Sequence, residues 1–127
     1  MFFCFHFQFS GSFKKQKCAL QVMFRVIGTA TYLEELDKLP KAYKDAAGKI
    51  PLRLAENAHL GKPFGYPFLR EQRINEKRIY YLIYDDLQLV LMVAVSGKKD
   101  QQATISHIKN QLYEYLKIAE DISKQAF

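Results

Sequence analysis

The 127-residue chain has no tryptophan, two cysteines, four prolines and six glycines. Cys4 and Cys18 cannot build a disulfide framework, and both fall upstream of the part that reads as a folded domain. No CxxC pair and no Cys/His cluster with ligand spacing occurs, which excludes a structural zinc site. The expected compartment is therefore reducing, the cytoplasm by default. No apolar run approaches the ~20 residues of a membrane-crossing helix, and no repeat or low-complexity linker appears. Acidic residues are in the minority: 19 Lys and Arg against 13 Asp and Glu give a net charge of +6. Such a balance favours a polyanionic partner, whether nucleic acid, an anionic membrane surface or an acidic protein. With 49% hydrophobic and 25% charged residues, the composition is that of one ordinary globular domain. Its length suffices for a core without metal or disulfide staples.

That charge is unevenly spread. Residues 1–22 hold six of the ten phenylalanines (Phe2, Phe3, Phe5, Phe7, Phe9, Phe13), three lysines (Lys14, Lys15, Lys17) and no acid. A secretory signal carries its basic residues before the apolar stretch, whereas here they follow it. The segment reads as a Phe-rich leader outside the fold, with Met23 as the natural start; an edge strand or a peripheral membrane anchor are the alternatives. Without its three lysines, residues 23–127 keep sixteen basic against thirteen acidic residues, a net charge of +3.

Within 23–127, Met23–Gly28 reads as a short strand. Thr29 and Thr31 offer helix N-caps, and Thr31 with Glu34 has capping-box spacing. Leu33, Leu36 and Leu39 then mark a first helix before Pro40. A second helix is expected from Pro40 toward His59, kinked at Pro51 and stopped at Gly61. Its outer face is basic, with Lys38, Lys41, Lys44, Lys49 and Arg53 against Asp45 and Glu56. After the aromatic loop Gly61–Pro67 the periodicity becomes extended. Leu69–Ile74, Lys77–Tyr84 and Leu87–Ser96 form an antiparallel meander with turns at Asn75–Glu76 and Asp85–Asp86. The last two strands are apolar on both faces, which places them mid-sheet. From Asp100 a helix of about 25 residues is expected, long enough for its last turns to project from the sheet. The fold class is α+β: a small antiparallel sheet packed by a two-helix hairpin, with a long C-terminal helix.

These residues carry a resemblance. The run YLEELDKLPK, then GKPFGYPFLREQRINEKRIYYLIYDD, then LVLMVAVSGKKDQQATISHIKNQLYEYL resembles the RelE/ParE toxin superfamily over nearly all of residues 24–116. The motifs are an R-x-x-x-x-R pair followed by I-Y-Y, and a strand ending in G-K-K; the KKDQQATISHIK segment leans to the HigB and phage-derived branch. The resemblance implies the toxin of a type II toxin–antitoxin pair, with a cognate antitoxin in a hetero-oligomer as partner. It implies cleavage of mRNA in the ribosomal A site by 2′-hydroxyl attack, without metal or other cofactor and without a membrane.

It also implies the site. Arg78 matches the arginine that opens the family's central strand, and Arg73 the other arginine of that hairpin; their planar forks suit phosphate. Lys98 and Lys99 follow Gly97 where RelE-like members carry arginine and HigB-like members lysine. The family's C-terminal tyrosine is matched here by Ile105, and His107 is the nearest ionisable substitute as acid or base. Lys41, Lys44, Arg53, Lys62, Arg70 and Tyr66 are the RNA-binding candidates. Read without the resemblance, Arg73 and Arg78 are surface cations flanking a hairpin turn, solvated or paired with Glu71, Glu76 or Asp100. The alternative functions are a ParE-like gyrase inhibitor, favoured by a lengthened last helix, and an inactive antitoxin-binding homologue.

Overall fold

Two strands without a polar face dictate the architecture. Lys77–Tyr84 (β5) and Leu89–Ser96 (β6) pair antiparallel, and the residues from Ile79 to Ile83 and from Leu89 to Ala94 are buried. Strands of this kind need cover on both sides. The computed structural model, which describes residues 3–5 and 23–125, supplies it with helices on each face. The remaining elements are β1 (Phe3–Phe5), β2 (Arg25–Gly28), α1 (Ala30–Asp37), α2 (Lys41–Gly48), α3 (Ile50–Glu56), β3 (Lys62–Phe64), β4 (Tyr66–Ile74), α4 (Gln101–Asn110) and α5 (Leu112–Ser123). The sheet order is β1-β2-β6-β5-β4-β3. Among the described residues no helix is long and apolar enough to cross a membrane.

The α+β class holds, and β4 to β6 are antiparallel neighbours as expected, whereas the stretch read as the loop Gly61–Pro67 forms strand β3 and the start of β4. The sheet is nevertheless mixed, because β2 runs parallel to β6 with Val26 beside Val90 and Ile27 beside Leu91. Of the Phe-rich leader, Phe3–Phe5 pairs antiparallel with β2. Its other residues, and the boundary expected between Val22 and Met23, lie outside the described residues.

Strand alternation divides the core in two. Ile79, Tyr81 and Ile83 face α1–α3 together with Tyr32, Ala47, Ile50 and Leu54. Tyr80 and Leu82 face α4 and α5, meeting Ile105, Ile108, Ala119 and Ile122. Each large side chain so enclosed contributes about 1.5–3 kcal/mol.

Several local expectations are corrected. The N-cap of α1 is Thr29, whose hydroxyl accepts from the Tyr32 N–H at 3.2 Å, and Thr31 lies inside the helix, so no Thr31–Glu34 capping box forms. The second helix is two helices. Pro51 has no N–H to offer the preceding turn, so the chain restarts at Lys49 with Pro51 in the first turn of α3. That helix ends at Asn57 rather than at Gly61. Gly61 is instead needed for close approach: a Cβ there would overlap the Glu71 carbonyl oxygen and the Tyr81 hydroxyl. The second hairpin turn is longer than two residues, a 3-10 turn at Asp85–Leu87 followed by Gln88 at φ 52°. The long last helix breaks at Gln111 (φ −108°, ψ 13°), and α5 lies on the sheet rather than projecting from it.

Candidate functional site

The tight turn at Asn75–Glu76, with Asn75 at φ 55°, sets Arg73 directly opposite Arg78 on the neighbouring strand. Paired residues share a face, so both point to the α4 side of the sheet. A β-bulge then adds the third member. Tyr80 pairs with Ala94 but Tyr81 with Met92, leaving Val93 as the extra residue. The slip puts Ser96 opposite Arg78 on the same face. The Ser96 and Tyr80 hydroxyls lie 3.0 Å apart. Burial raises the Tyr80 pKa, so the phenol stays neutral.

Beyond Ser96 the chain leaves the sheet as Gly97–Lys98–Lys99–Asp100 and turns into α4. The result is an open cavity of about 570 Å³ lined by Arg73, Glu76, Lys77, Arg78, Gly97, Lys98, Lys99 and Asp100. Five cations against two carboxylates line one hollow. Two arginines directly opposite each other repel, so an anion seated between them would relieve a cost already present in the fold.

Arg78 forms the floor. It is only 7% exposed, and its Nε lies 3.6 Å from an oxygen of Glu71, itself 8% exposed. Its Nε and Nη1 are buried without a hydrogen-bond partner. Unsatisfied buried donors cost about 1–3 kcal/mol each, so this guanidinium carries a cost that its ion pair with Glu71 only partly offsets. The surface reading of Arg78 thus fails on burial, although its pairing with Glu71 is real. Among the described residues, no group of three or more His, Cys, Asp or Glu could hold a metal ion.

Of the five catalytic candidates, Arg73, Arg78, Lys98 and Lys99 therefore converge, and His107 does not line the cavity. His107 is exposed in the last turn of α4, while Ile105 packs in the core beneath that helix. His59 lies at another edge, 3.2 Å from Asp85 and edge-on to Phe24. The RNA-binding candidates scatter. Lys41 and Lys44 pair with Asp45 and Asp37 at 3.6 and 3.3 Å, and with exposed Arg53 they sit on α2 and α3, across the sheet from the cavity. Arg70 is a loop clamp, donating to the carbonyls of Pro67, His59 and Gly61 at 2.8, 3.1 and 2.9 Å. Tyr66 stacks on Phe68 at 4.9 Å, and the Lys109 ammonium lies over the Tyr66 ring, 5.7 Å from its centroid. Exposed Lys62, over the Phe64 ring, is the exception: it stands opposite Glu71 in register and extends the positive surface along the same face. Glu71, Ser96, Lys77 and Gln101 were not among the candidates. Glu71 was visible as an acid in phase with Leu69 and Arg73, but the bulge that aims Ser96 has no sequence signal.

No protein-family model and no curated protein matches the chain. Solved structures do. An E. coli RelE double mutant in the free state is 17% identical, with a TM-score of 0.60 over 70% of this chain and 97% of that one. The RelBE2 toxin–antitoxin complex from Mycobacterium tuberculosis is 25% identical over 61% of this chain and all of its match, with a TM-score of 0.54. The intact E. coli RelBE toxin–antitoxin complex is 19% identical over 60% of this chain and 96% of that one, with a TM-score of 0.53. The resemblance to the RelE/ParE superfamily thus holds in three dimensions, and the chain has the RelE-like fold.

Proposed function

We propose that this chain is the toxin of a toxin–antitoxin pair and acts as a metal-independent endoribonuclease on ribosome-bound mRNA. The observation that carries this reading is Arg78, buried at the floor of a cationic cavity with two nitrogens, Nε and Nη1, lacking a hydrogen-bond partner. In the reaction the ribose 2′-oxygen attacks the adjacent phosphorus, the bond from phosphorus to the 5′-oxygen breaks, and a cyclic phosphate and a 5′-hydroxyl result. The 2′-hydroxyl proton goes to a base, and the departing oxygen takes a proton from an acid. Arg78 and Arg73 hold the phosphate oxygens from the sheet, and Lys98 and Lys99 close on them from the loop, countering the charge of the pentacoordinate state. The carboxylates Glu76 and Asp100 and the ammonium groups of Lys77, Lys98 and Lys99 line the cavity, and they replace His107 as the candidates for proton transfer.

RelE neighbours occur in complexes with an antitoxin, and a cognate antitoxin covering this cavity is the matching partner here. The gyrase reading loses its support, since the last helix does not project from the sheet. The test is induction of the chain alone, with primer extension on cellular mRNA, beside Arg78→Lys. Lysine keeps a cation next to Glu71 but loses the fork, and should lower cleavage by about 10²–10³-fold. Growth arrest with intact mRNA and trapped DNA breaks would select the gyrase reading. Antitoxin binding without arrest would mark an inactive homologue.

A further inference from the structure

Glu71 is an odd residue to find under a phosphate site, because a buried carboxylate there repels the ligand. It projects inward from β4 and is 8% exposed, yet it does not line the cavity. Its two oxygens do different things. One accepts from Gln101 Nε2 at 3.1 Å, and the other faces Arg78 Nε at 3.6 Å. Gln101 is the first residue of α4, immediately after the loop that carries Lys98 and Lys99. A single carboxylate therefore joins β4, β5 and the start of α4. It ties the arginine floor of the cavity to its lysine wall.

We infer that Glu71 is a positioning residue: it orients Arg78 and fixes the Gly97–Asp100 loop against it, accepting weaker phosphate binding in exchange for geometry. This rests on the proposed phosphate site, but its signature is of opposite sign to ordinary loss of a site residue. Removing the charge should strengthen binding while weakening catalysis. A unit charge taken from beside the site raises phosphate affinity by about three-fold or more. The misaligned guanidinium costs about ten- to a hundred-fold in turnover.

The experiment compares Glu71→Gln and Gln101→Ala with the wild-type chain. Three quantities are followed: inorganic phosphate titration, the Arg78 Nε–H resonance by NMR, and kcat and KM for cleavage of mRNA in a purified translation reaction. In Glu71→Gln, phosphate binding tightens, the Arg78 resonance broadens or splits, and kcat falls with KM unchanged or lower. Gln101→Ala, which keeps the charge and disturbs only the tie to α4, lowers kcat without tightening phosphate. A single, equally ordered Arg78 resonance in Glu71→Gln overturns the inference, as does a parallel loss of phosphate affinity and kcat. A wild-type chain that neither cleaves nor binds phosphate would defeat the nuclease reading instead, while a disordered Arg78 resonance in Glu71→Gln would still support the positioning role.

Discussion

Replacing Arg78 by alanine should cost the fold about as much as it costs the site. Both side chains of the Arg78–Glu71 pair are 8% exposed. Deleting one member of a buried pair leaves an uncompensated charge, at about 3–5 kcal/mol. Three effects pull the figure to the lower end, the first being that the unpartnered Nε and Nη1 of Arg78 are removed with the side chain. Glu71 keeps its Gln101 hydrogen bond, and Arg73 loses the like charge opposite it, worth about 0.5 kcal/mol. The expected loss is therefore about 3 kcal/mol, a large fraction of the 5–15 kcal/mol that typically holds a domain together. Replacing both residues by methionine removes the two charges at once. It should be near neutral or stabilising by about 1–4 kcal/mol. Urea unfolding of the wild type, Arg78→Met, Glu71→Met and the double methionine variant closes the cycle. Because the pair is shielded from solvent, the coupling should change little with added salt. An Arg78→Ala midpoint within about 0.5 kcal/mol of wild type, or a double variant as unstable as the two singles summed, would refute the buried-pair reasoning. With the expected loss of stability, loss of toxicity in Arg78→Ala is ambiguous by itself, which is why Arg78→Lys is the informative variant.

Gly61→Ala should destabilise by about 1–3 kcal/mol, because its Cβ would press on the Glu71 backbone and Tyr81 hydroxyl and displace the 2.8 Å bond from Gly61 N–H to that hydroxyl; an unchanged melting temperature would count against the close approach. Thr29→Ala should cost about 1 kcal/mol and Thr31→Ala less than about 0.5, since only Thr29 caps α1; the reverse order in thermal unfolding would restore the capping box. Alkali should unfold the protein. Burial raises the pKa of Tyr32, Tyr80, Tyr81, Tyr84 and Tyr115 above the ordinary tyrosine value. Their neutral forms favour the folded state, so that contribution is intact below about pH 10 and is lost as pH rises toward the raised values, by about 1.4 kcal/mol per unit for each tyrosine. Melting temperature should fall steeply above pH 10, with these five tyrosines ionising only as the chain unfolds; their ionisation in a still-folded protein would contradict this.

The sheet was legible in the sequence wherever local pattern and burial agree. Lys77–Tyr84 reads as a fully apolar strand because it is covered on both sides, and its limits match β5. The helical faces were legible too, through Ile105, Ile108, Ala119 and Ile122. What could not be read were features set by non-local partners. The parallel pairing of β2 with β6 depends on the packing of α1–α3, not on the residues of β2. Gly61 looks like a helix stop, but its smallness serves a strand and a tyrosine that arrive later in the chain. The helix break at Gln111 carries no proline or glycine to announce it.

The site divides along the same line. Arg73 and Arg78 could be placed together because a two-residue turn fixes register, and register fixes which side chains are opposite. Lys98 and Lys99 came from the resemblance, through the G-K-K that ends a strand, and the fold brings them to the cavity lined by Arg73 and Arg78. Lys41, Lys44 and Arg53 were drawn in by charge alone, and charge does not say which face of a sheet a helix covers. Glu71 shows the limit most clearly. In a linear reading it is one of several acids that could neutralise the arginines and so argue against a site. In the fold it is shut away from solvent with Arg78, and two nitrogens of the guanidinium still lack a hydrogen-bond partner. A surface counter-ion would have quenched the cavity. A buried one leaves the arginine oriented and unsatisfied, which is the condition the proposed phosphate site requires.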